Sequence, residues 1–170
     1  MQIDIGFGDR VVPGPEEIAF PTLLDFPAPH LKSYTRESVV AEKFEAMVKL
    51  GILNSRMKDF YDLWSLSQSF SFDGATLCNA IKATFETRST AVPIEGPLAL
   101  TSEFYEDEQK NAQWKAFLNK SRLDADANSL SEIAAALRKF LMPVSAAAAK
   151  GESLDGTWST TWALDLMSVS

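Results

Sequence analysis

The 170-residue chain is long enough for one domain, and its 46% hydrophobic and 23% charged residues are typical of folded protein. It contains no apolar run of about 18 residues, no secretory signal and only one cysteine, Cys78, so we expect a cytoplasmic protein without disulfides in which Cys78 is a small buried thiol. The net charge of −7 argues against nonspecific nucleic-acid binding by the whole surface.

The N-terminal segment is predicted to contribute one or two strands. Residues 1–7, MQIDIGF, alternate apolar and polar side chains, which predicts a strand with Asp4 on its polar face. Residues 18–24 predict a second short strand, and Pro21 within it favours the edge of a sheet. His30 has no nucleophile and no second metal ligand nearby in the sequence, so we expect it to be structural or solvent-exposed.

Residues 34–66 predict two amphipathic helices joined by a tight turn. Thr35 is suited to cap the first helix, and Gly51 is suited to end it. Asn54 and Ser55 are expected to cap the second helix. Its apolar stripe consists of Met57, Phe60, Tyr61, Leu63, Trp64 and Leu66.

Three further elements follow in chain order. Residues 67–72 are expected to form a loop, after which Asp73 caps a helix that ends near Arg88. Residues 89–99 contain two prolines and a glycine and are expected to be a linker. Residues 102–121 predict one continuous helix.

The C-terminal part predicts one last helix and a tail. Ser129 caps this helix, and the sequence predicts that it runs into Pro143. Residues 146–149 are expected to form a loose turn. The tail, residues 151–170, has no clear period but contains two tryptophans, so it should either pack back on the body or be partly disordered.

Four charged residues of the helical hairpin are candidates for a site. Lys43 lies on the first helix, and Lys58, Asp59 and Asp62 lie on the second, where spacings of three and four place side chains on one face. Basic residues outnumber acidic ones by six to three between residues 32 and 58, which would suit a phosphate-bearing substrate. The alternative is a network of salt bridges between the helices. That network would consist of Glu42, Lys43, Arg56, Lys58 and Asp59.

Two short motifs in the hairpin carry a family resemblance. Residues 41–44 read AEKF and residues 55–64 read SRMKDFYDLW. Together they resemble the C-terminal signature of the nucleotidyltransferase family that includes the AbiEii/AbiGii abortive-infection toxins, and the similarity runs over about residues 3–122. The resemblance implies an NTP substrate, an RNA or protein acceptor, Mg²⁺ and an antitoxin protein. The resemblance implies that Lys43, Asp59 and Asp62 are catalytic and that Lys43 is the cation that binds the phosphates. It implies further that Arg56 and Lys58 bind substrate and that Asp4 is a metal ligand.

The chain departs from the family pattern at its N-terminus. Family members carry a Gly-Ser or Gly-Gly-Thr loop and an Asp-x-Asp pair upstream of the strand that matches residues 1–7. Neither motif is present, so we expect this chain to be the C-terminal portion of such an enzyme, to bind Mg²⁺ poorly and to be inactive alone. The alternative function is a non-catalytic helical module for protein interaction.

The expected fold is α+β and mostly helical, with one or two N-terminal strands from an incomplete nucleotidyltransferase sheet followed by a helical bundle. We expect three parts: a remnant of the palm sheet (1–33), a helical domain with the Lys and KDxxD motifs (34–122), and a C-terminal helix and tail (123–170). No contact with a membrane is expected. An exposed strand edge would allow two copies to pair as a homodimer.

Overall fold

The computed structural model describes residues 11–22, 25–123 and 129–159, and most of this part of the chain is helical. The strand expected over residues 1–7, with Asp4, lies outside the described residues. None of the described helices has the length and the apolar run that a membrane span needs. The helices are α1 (Arg36–Leu50), α2 (Met57–Ser69), α3 (Gly74–Thr87), α4 (Ser102–Tyr105), α5 (Glu108–Ser121) and α6 (Leu130–Lys150), with single 3-10 turns at Gly51–Leu53 and Leu98–Leu100.

The strands form two short antiparallel ribbons. One pairs β1 (Glu16–Ala19) with β2 (His30–Ser33), and the other pairs β3 (Phe72–Asp73) with β4 (Thr157–Trp158). Strand β1 ends before Pro21, because proline cannot donate a ladder hydrogen bond, so the strand predicted over 18–24 is shifted towards the N-terminus. These ribbons and the helices confirm the α+β class.

The core is built from apolar side chains of all the longer helices. Rings link the helices in pairs: Phe44 of α1 meets Phe85 of α3 at 5.4 Å between centroids, and Phe60 of α2 stacks on Phe104 of α4 at 5.3 Å. Cys78 is buried and free, as the sequence predicted. Helix α6 contacts α2, α3 and α4, so the helical hairpin and the C-terminal helix share one apolar interior.

Three of the predicted helix caps are present. The Thr35 hydroxyl accepts a hydrogen bond from the Ser38 N–H, and the Asp73 carboxylate accepts one from the Thr76 N–H. Ser129 forms a capping box with the side chain three residues later. These caps were predictable because each depends on a local contact within one turn of helix.

Two predicted boundaries between residues 67 and 121 are wrong. Helix α2 continues to Ser69, so the first three residues of the expected 67–72 loop are helical. The helix expected over 102–121 is broken after Tyr105. The break occurs because Asp107 has an extended backbone and its side chain accepts a hydrogen bond from the Lys110 N–H at 2.9 Å, which starts a new helix.

Helix α6 does not stop at Pro143 as predicted but passes through it to Lys150, and the loose turn expected over residues 146–149 is helical. Pro143 is exposed, whereas Val144, Ala147 and Ala148 beyond it are buried in the core. Packing of these last two turns therefore outweighs the hydrogen bond that the proline removes.

The described part of the tail packs back on the body. Trp158 is 4% exposed, and its indole N–H donates to the Phe140 carbonyl oxygen at 3.0 Å. The remaining tail residues, 160–170, lie outside the described part of the chain.

Candidate functional site

The site is organised by the elbow between α1 and α2. Gly51 has φ +49° and ψ −127°, a conformation that glycine adopts without the strain of a side chain, and its N–H donates to the Met47 carbonyl. Asn54 is buried, and its side-chain oxygen accepts from the Arg56 N–H at 2.8 Å. Asn54 therefore closes the elbow; the position just before α2 is Arg56, which makes no side-chain capping bond, so the predicted cap at Asn54 and Ser55 is wrong in detail.

Across this elbow, one ammonium group meets two carboxylates. The Lys43 Nζ lies 2.5 Å from the Asp59 Oδ1 and 2.9 Å from the Asp62 Oδ2. The Lys58 Nζ donates to the same Asp62 oxygen at 2.5 Å. We call Lys43, Lys58, Asp59 and Asp62 the lysine–aspartate cluster. Residues 16 positions apart in the sequence are thus brought into direct contact.

The charge states of the cluster follow from these contacts. Burial by itself would lower the pKa of Lys43, but hydrogen bonds and charge attraction from Asp59 and Asp62 outweigh it and raise that pKa above the usual 10.5. For Asp62, burial opposes ionisation, but hydrogen bonds and charges from Lys58 and Lys43 bring its pKa below 3.8. At neutral pH, Lys43 is therefore an ammonium ion and Asp62 a carboxylate, which suits Lys43 as a fixed positive charge and not as a base.

Lys43 and Asp59 both line an open cleft of about 240 Å³ between α1, the start of α2 and the end of α3. Three of the lining residues are cationic and two are acidic, so the cleft carries a small positive excess in a chain whose net charge is −7. This excess favours an anion over a cation in the cleft. The lining residues are Val39, Glu42, Lys43, Ala46, Arg56, Asp59 and Arg88.

Arg88 is a cleft residue that the sequence analysis missed, since it was predicted only as the end of a helix. Its Nη1 donates to Glu45 Oε2 at 3.0 Å, and its Nη2 lies 3.7 Å from Glu42 Oε2. Glu45 is buried, and its other oxygen accepts from the Thr90 hydroxyl at 2.6 Å. A glutamate on the apolar face of α1 does signal a buried partner, but the sequence gives no means of choosing which one.

The structure brings together most of the predicted site residues. Lys43, Asp59 and Asp62 touch, and Arg56 lines the same cleft. The side chain of Lys58 is 71% exposed, does not line the cleft and joins the cluster through Asp62. The expected salt bridges between the two helices also form at Lys43.

A metal site is not supported by the described residues. Within residues 11–22, 25–123 and 129–159, no three His, Cys, Asp or Glu side chains lie close enough to hold one ion. Asp59 and Asp62 do not fit this role because lysine ammonium groups are bonded to them. Asp4, the predicted metal ligand, lies outside the described residues.

Comparison with known proteins gives a family. No curated protein and no solved structure matches the chain. A family model described as nucleotidyl transferase AbiEii toxin, type IV TA system, matches residues 1–141. The match spans the elbow, the lysine–aspartate cluster and the cleft. The chain therefore belongs to the nucleotidyl transferase AbiEii toxin family of type IV toxin–antitoxin systems.

Proposed function

We propose that the cleft binds the triphosphate of an NTP and that the chain takes part in the transfer of a nucleotide to an RNA or protein acceptor. The family supplies the general function, that of a nucleotidyltransferase toxin. The observation that carries the proposal for this site is that Lys43 and Asp59, from two separate motifs, meet across the elbow and line one open cleft. A buried salt bridge would need no such opening.

In this proposal, Lys43 is the cation for the phosphates. It is protonated at neutral pH, and lysine provides a compact charge on a flexible stem that can move from one anion to another. Asp59 and Asp62 hold the ammonium group in place before the nucleotide binds. When the triphosphate takes over Lys43, the Asp59 carboxylate is released to orient the acceptor or to accept its proton.

Arg56 and Lys58 have different parts in substrate binding. Arg56 lines the cleft, and its planar guanidinium can donate two parallel hydrogen bonds to a phosphate. Lys58 is mostly exposed, so it adds positive charge at the edge of the site and attracts the nucleotide from solution.

Magnesium is the ion that the family resemblance implies, and Asp4 is the residue of this sequence that we propose as its ligand. A hard cation needs several oxygen ligands, so Asp4 would be one ligand among others and would bind the ion weakly by itself. Val12, eight residues after Asp4 in the sequence, is tied to the start of α1, because the Ser38 hydroxyl donates to the Val12 carbonyl at 3.2 Å. Ser38 lies next to Val39, which lines the cleft.

Nucleotide binding tests the proposal directly. We expect the chain to bind an NTP in isothermal titration calorimetry, and Lys43→Ala to weaken the affinity at least about tenfold, because a charge-assisted contact with phosphate is lost. Lys49→Ala is the matched control, since Lys49 is exposed on the same helix outside the cleft. The free energy of unfolding should fall by only about 1 kcal/mol in Lys43→Ala, as for a partly exposed ion pair.

The second candidate function is a non-catalytic helical module that binds a partner protein such as an antitoxin. The ion pairs of the lysine–aspartate cluster favour it, because they join α1 to α2 as a structural network would. Absence of NTP binding, together with a stability loss of about 3 kcal/mol or more in Lys43→Ala, would support this candidate over the first.

We also propose that two copies of the chain pair through the β1–β2 ribbon. Ile18 and Leu31 face each other across the ribbon, and both are exposed, as is Phe20 beside them. In the described residues this ribbon has no third strand, so hydrogen-bonding groups at its edges can pair with another chain. Light scattering after size exclusion should give twice the monomer mass, and Leu31→Lys should restore the monomer; a monomeric wild type would contradict the proposal.

A further inference from the structure

We propose that Arg88 is a phosphate-binding residue of the cleft and that the buried Glu45 is the residue that positions it. The inference rests on the proposed function, since it names a further residue for the same anionic substrate. It concerns a residue outside the two motifs that carry the family resemblance.

Arg88 is placed where it can meet an anion in the cleft. It follows α3 directly as the C-terminal cap residue, and its side chain lines the cleft together with Lys43 and Arg56. The side chain remains 27% exposed. Its Nη2 lies 3.7 Å from the Glu42 Oε2, and a phosphate group in the cleft would be a further anionic partner for the guanidinium.

A buried carboxylate holds Arg88 in this place. The Glu45 side chain is 2% exposed, and both of its oxygens have partners, Arg88 at 3.0 Å and Thr90 at 2.6 Å. A buried carboxylate is costly to desolvate, and an apolar residue often packs as stably in its place. What a carboxylate adds is a directional, charge-assisted bond, which holds one guanidinium nitrogen in place. Glu45 therefore restrains the position of Arg88 beside the cleft.

Arg88 also affects the charge around the cleft. It is one of three cationic side chains in a lining that has two carboxylates, and its own partner Glu45 lies outside the lining. Without Arg88 one cationic side chain is lost and the charge of Glu45 is left uncompensated, so the attraction for an anion falls. Replacing this one residue should therefore affect anion binding strongly.

The test measures binding of inorganic triphosphate to the full chain by calorimetry at low ionic strength. We expect Arg88→Gln to weaken the affinity about tenfold, the usual size of one charge-assisted contact, and Arg88→Lys to recover part of it. Lys49→Gln is the control, because it makes the same change of charge on an exposed position outside the cleft.

Glu45→Gln tests the positioning role. A residue that only stabilises the fold would lower the melting temperature and leave the affinity of the folded protein unchanged. We expect the affinity to fall severalfold and the Arg88 Nε–Hε signal in the NMR spectrum to move when Glu45 is replaced.

The outcomes separate this inference from the proposed function. If the wild type does not bind triphosphate, the proposed function fails. If the wild type binds and Lys43→Ala weakens binding but Arg88→Gln does not, the inference alone is overturned. If Arg88→Gln does not fold, titration of the wild type decides the matter: triphosphate should shift the Arg88 Nε–Hε signal, and an unmoved signal would overturn the inference.

Discussion

The contacts of Lys43 determine how the site responds to pH. Asp62 has a folded-state pKa below its usual 3.8, so it stabilises the fold above that value, and this contribution is lost as pH falls through the folded-state pKa. Lys43 has a folded-state pKa above 10.5, so its contribution is present below 10.5 and is lost as pH rises through the folded-state pKa. The ion pair between Lys43 and Asp62 is therefore present over the whole physiological range.

Asp62→Asn tests how much the Asp62 carboxylate contributes to stability and how that contribution depends on pH. At pH 7 we expect the free energy of unfolding to fall by about 0.5–1 kcal/mol, because the ion pairs with Lys43 and Lys58 are partly exposed. The difference from wild type should shrink as the pH falls from 3.8 through the lower folded-state pKa of Asp62, since the wild-type carboxyl becomes protonated there as well. Urea unfolding at several pH values measures it, with Glu95→Gln as an exposed control. A difference independent of pH would contradict the assignment.

At this scale, sequence reasoning identified one half of the cleft and missed the other. Lys43 and Asp59 could be predicted to meet because short helices joined by a tight elbow restrict where their side chains lie, and because the motifs resembled a known family. Arg88 and Glu45 are 43 positions apart, and their contact depends on how α3 packs against α1. No local pattern carries that information.

At the scale of whole elements, α5 holds the elbow that carries the site. Lys110 lies at the start of α5 and is 6% exposed, and its Nζ donates to the Asn54 carbonyl at 3.0 Å while lying 5.3 Å from the Phe104 ring. The ammonium group meets the carbonyl that follows the Gly51–Leu53 turn, where partial negative charge collects at the end of a helical segment. The elbow is thus fixed from outside the hairpin.

Lys110→Met should loosen this elbow. Methionine keeps an apolar stem but leaves the buried Asn54 carbonyl without its donor, so we expect a loss of about 1–3 kcal/mol in the free energy of unfolding. Lys115→Met on the exposed face of the same helix is the matched control and should change stability by less than about 0.5 kcal/mol. Equal effects of the two substitutions in urea unfolding would show that Lys110 does not support the elbow.

Element boundaries show what local chemistry can and cannot predict. Thr35, Asp73 and Ser129 were predictable as caps because the groups they bond lie within the next turn. The passage of α6 through Pro143 was not predictable, because it depends on burial of side chains against helices distant in sequence. Where local helix preferences and tertiary packing disagree, packing decides the outcome, and packing cannot be read from a single sequence.

For the molecule as a whole, the fold extends beyond the region that the family model matches. The match ends at residue 141, yet the second half of α6 and strand β4, which pairs with β3, complete the core. The tail lies close to the start of α3: a methyl group on Gly74 would approach the Leu154 carbonyl oxygen within 2.5 Å. Close approach of two backbones explains why position 74 has no side chain.

Trp158→Ala measures how much the packing of the tail against the core contributes to the stability of the whole molecule. The side chain is buried against the core and donates to Phe140, so its removal should cost about 3–5 kcal/mol, as for other large core residues. Ile94→Ala is the control, since Ile94 is an exposed apolar residue, and it should have little effect. Chemical unfolding followed by circular dichroism gives both values. A loss below about 1 kcal/mol for Trp158→Ala would mean that the tail is not part of the cooperative core, because a buried indole cannot be removed from packed surroundings at so small a cost.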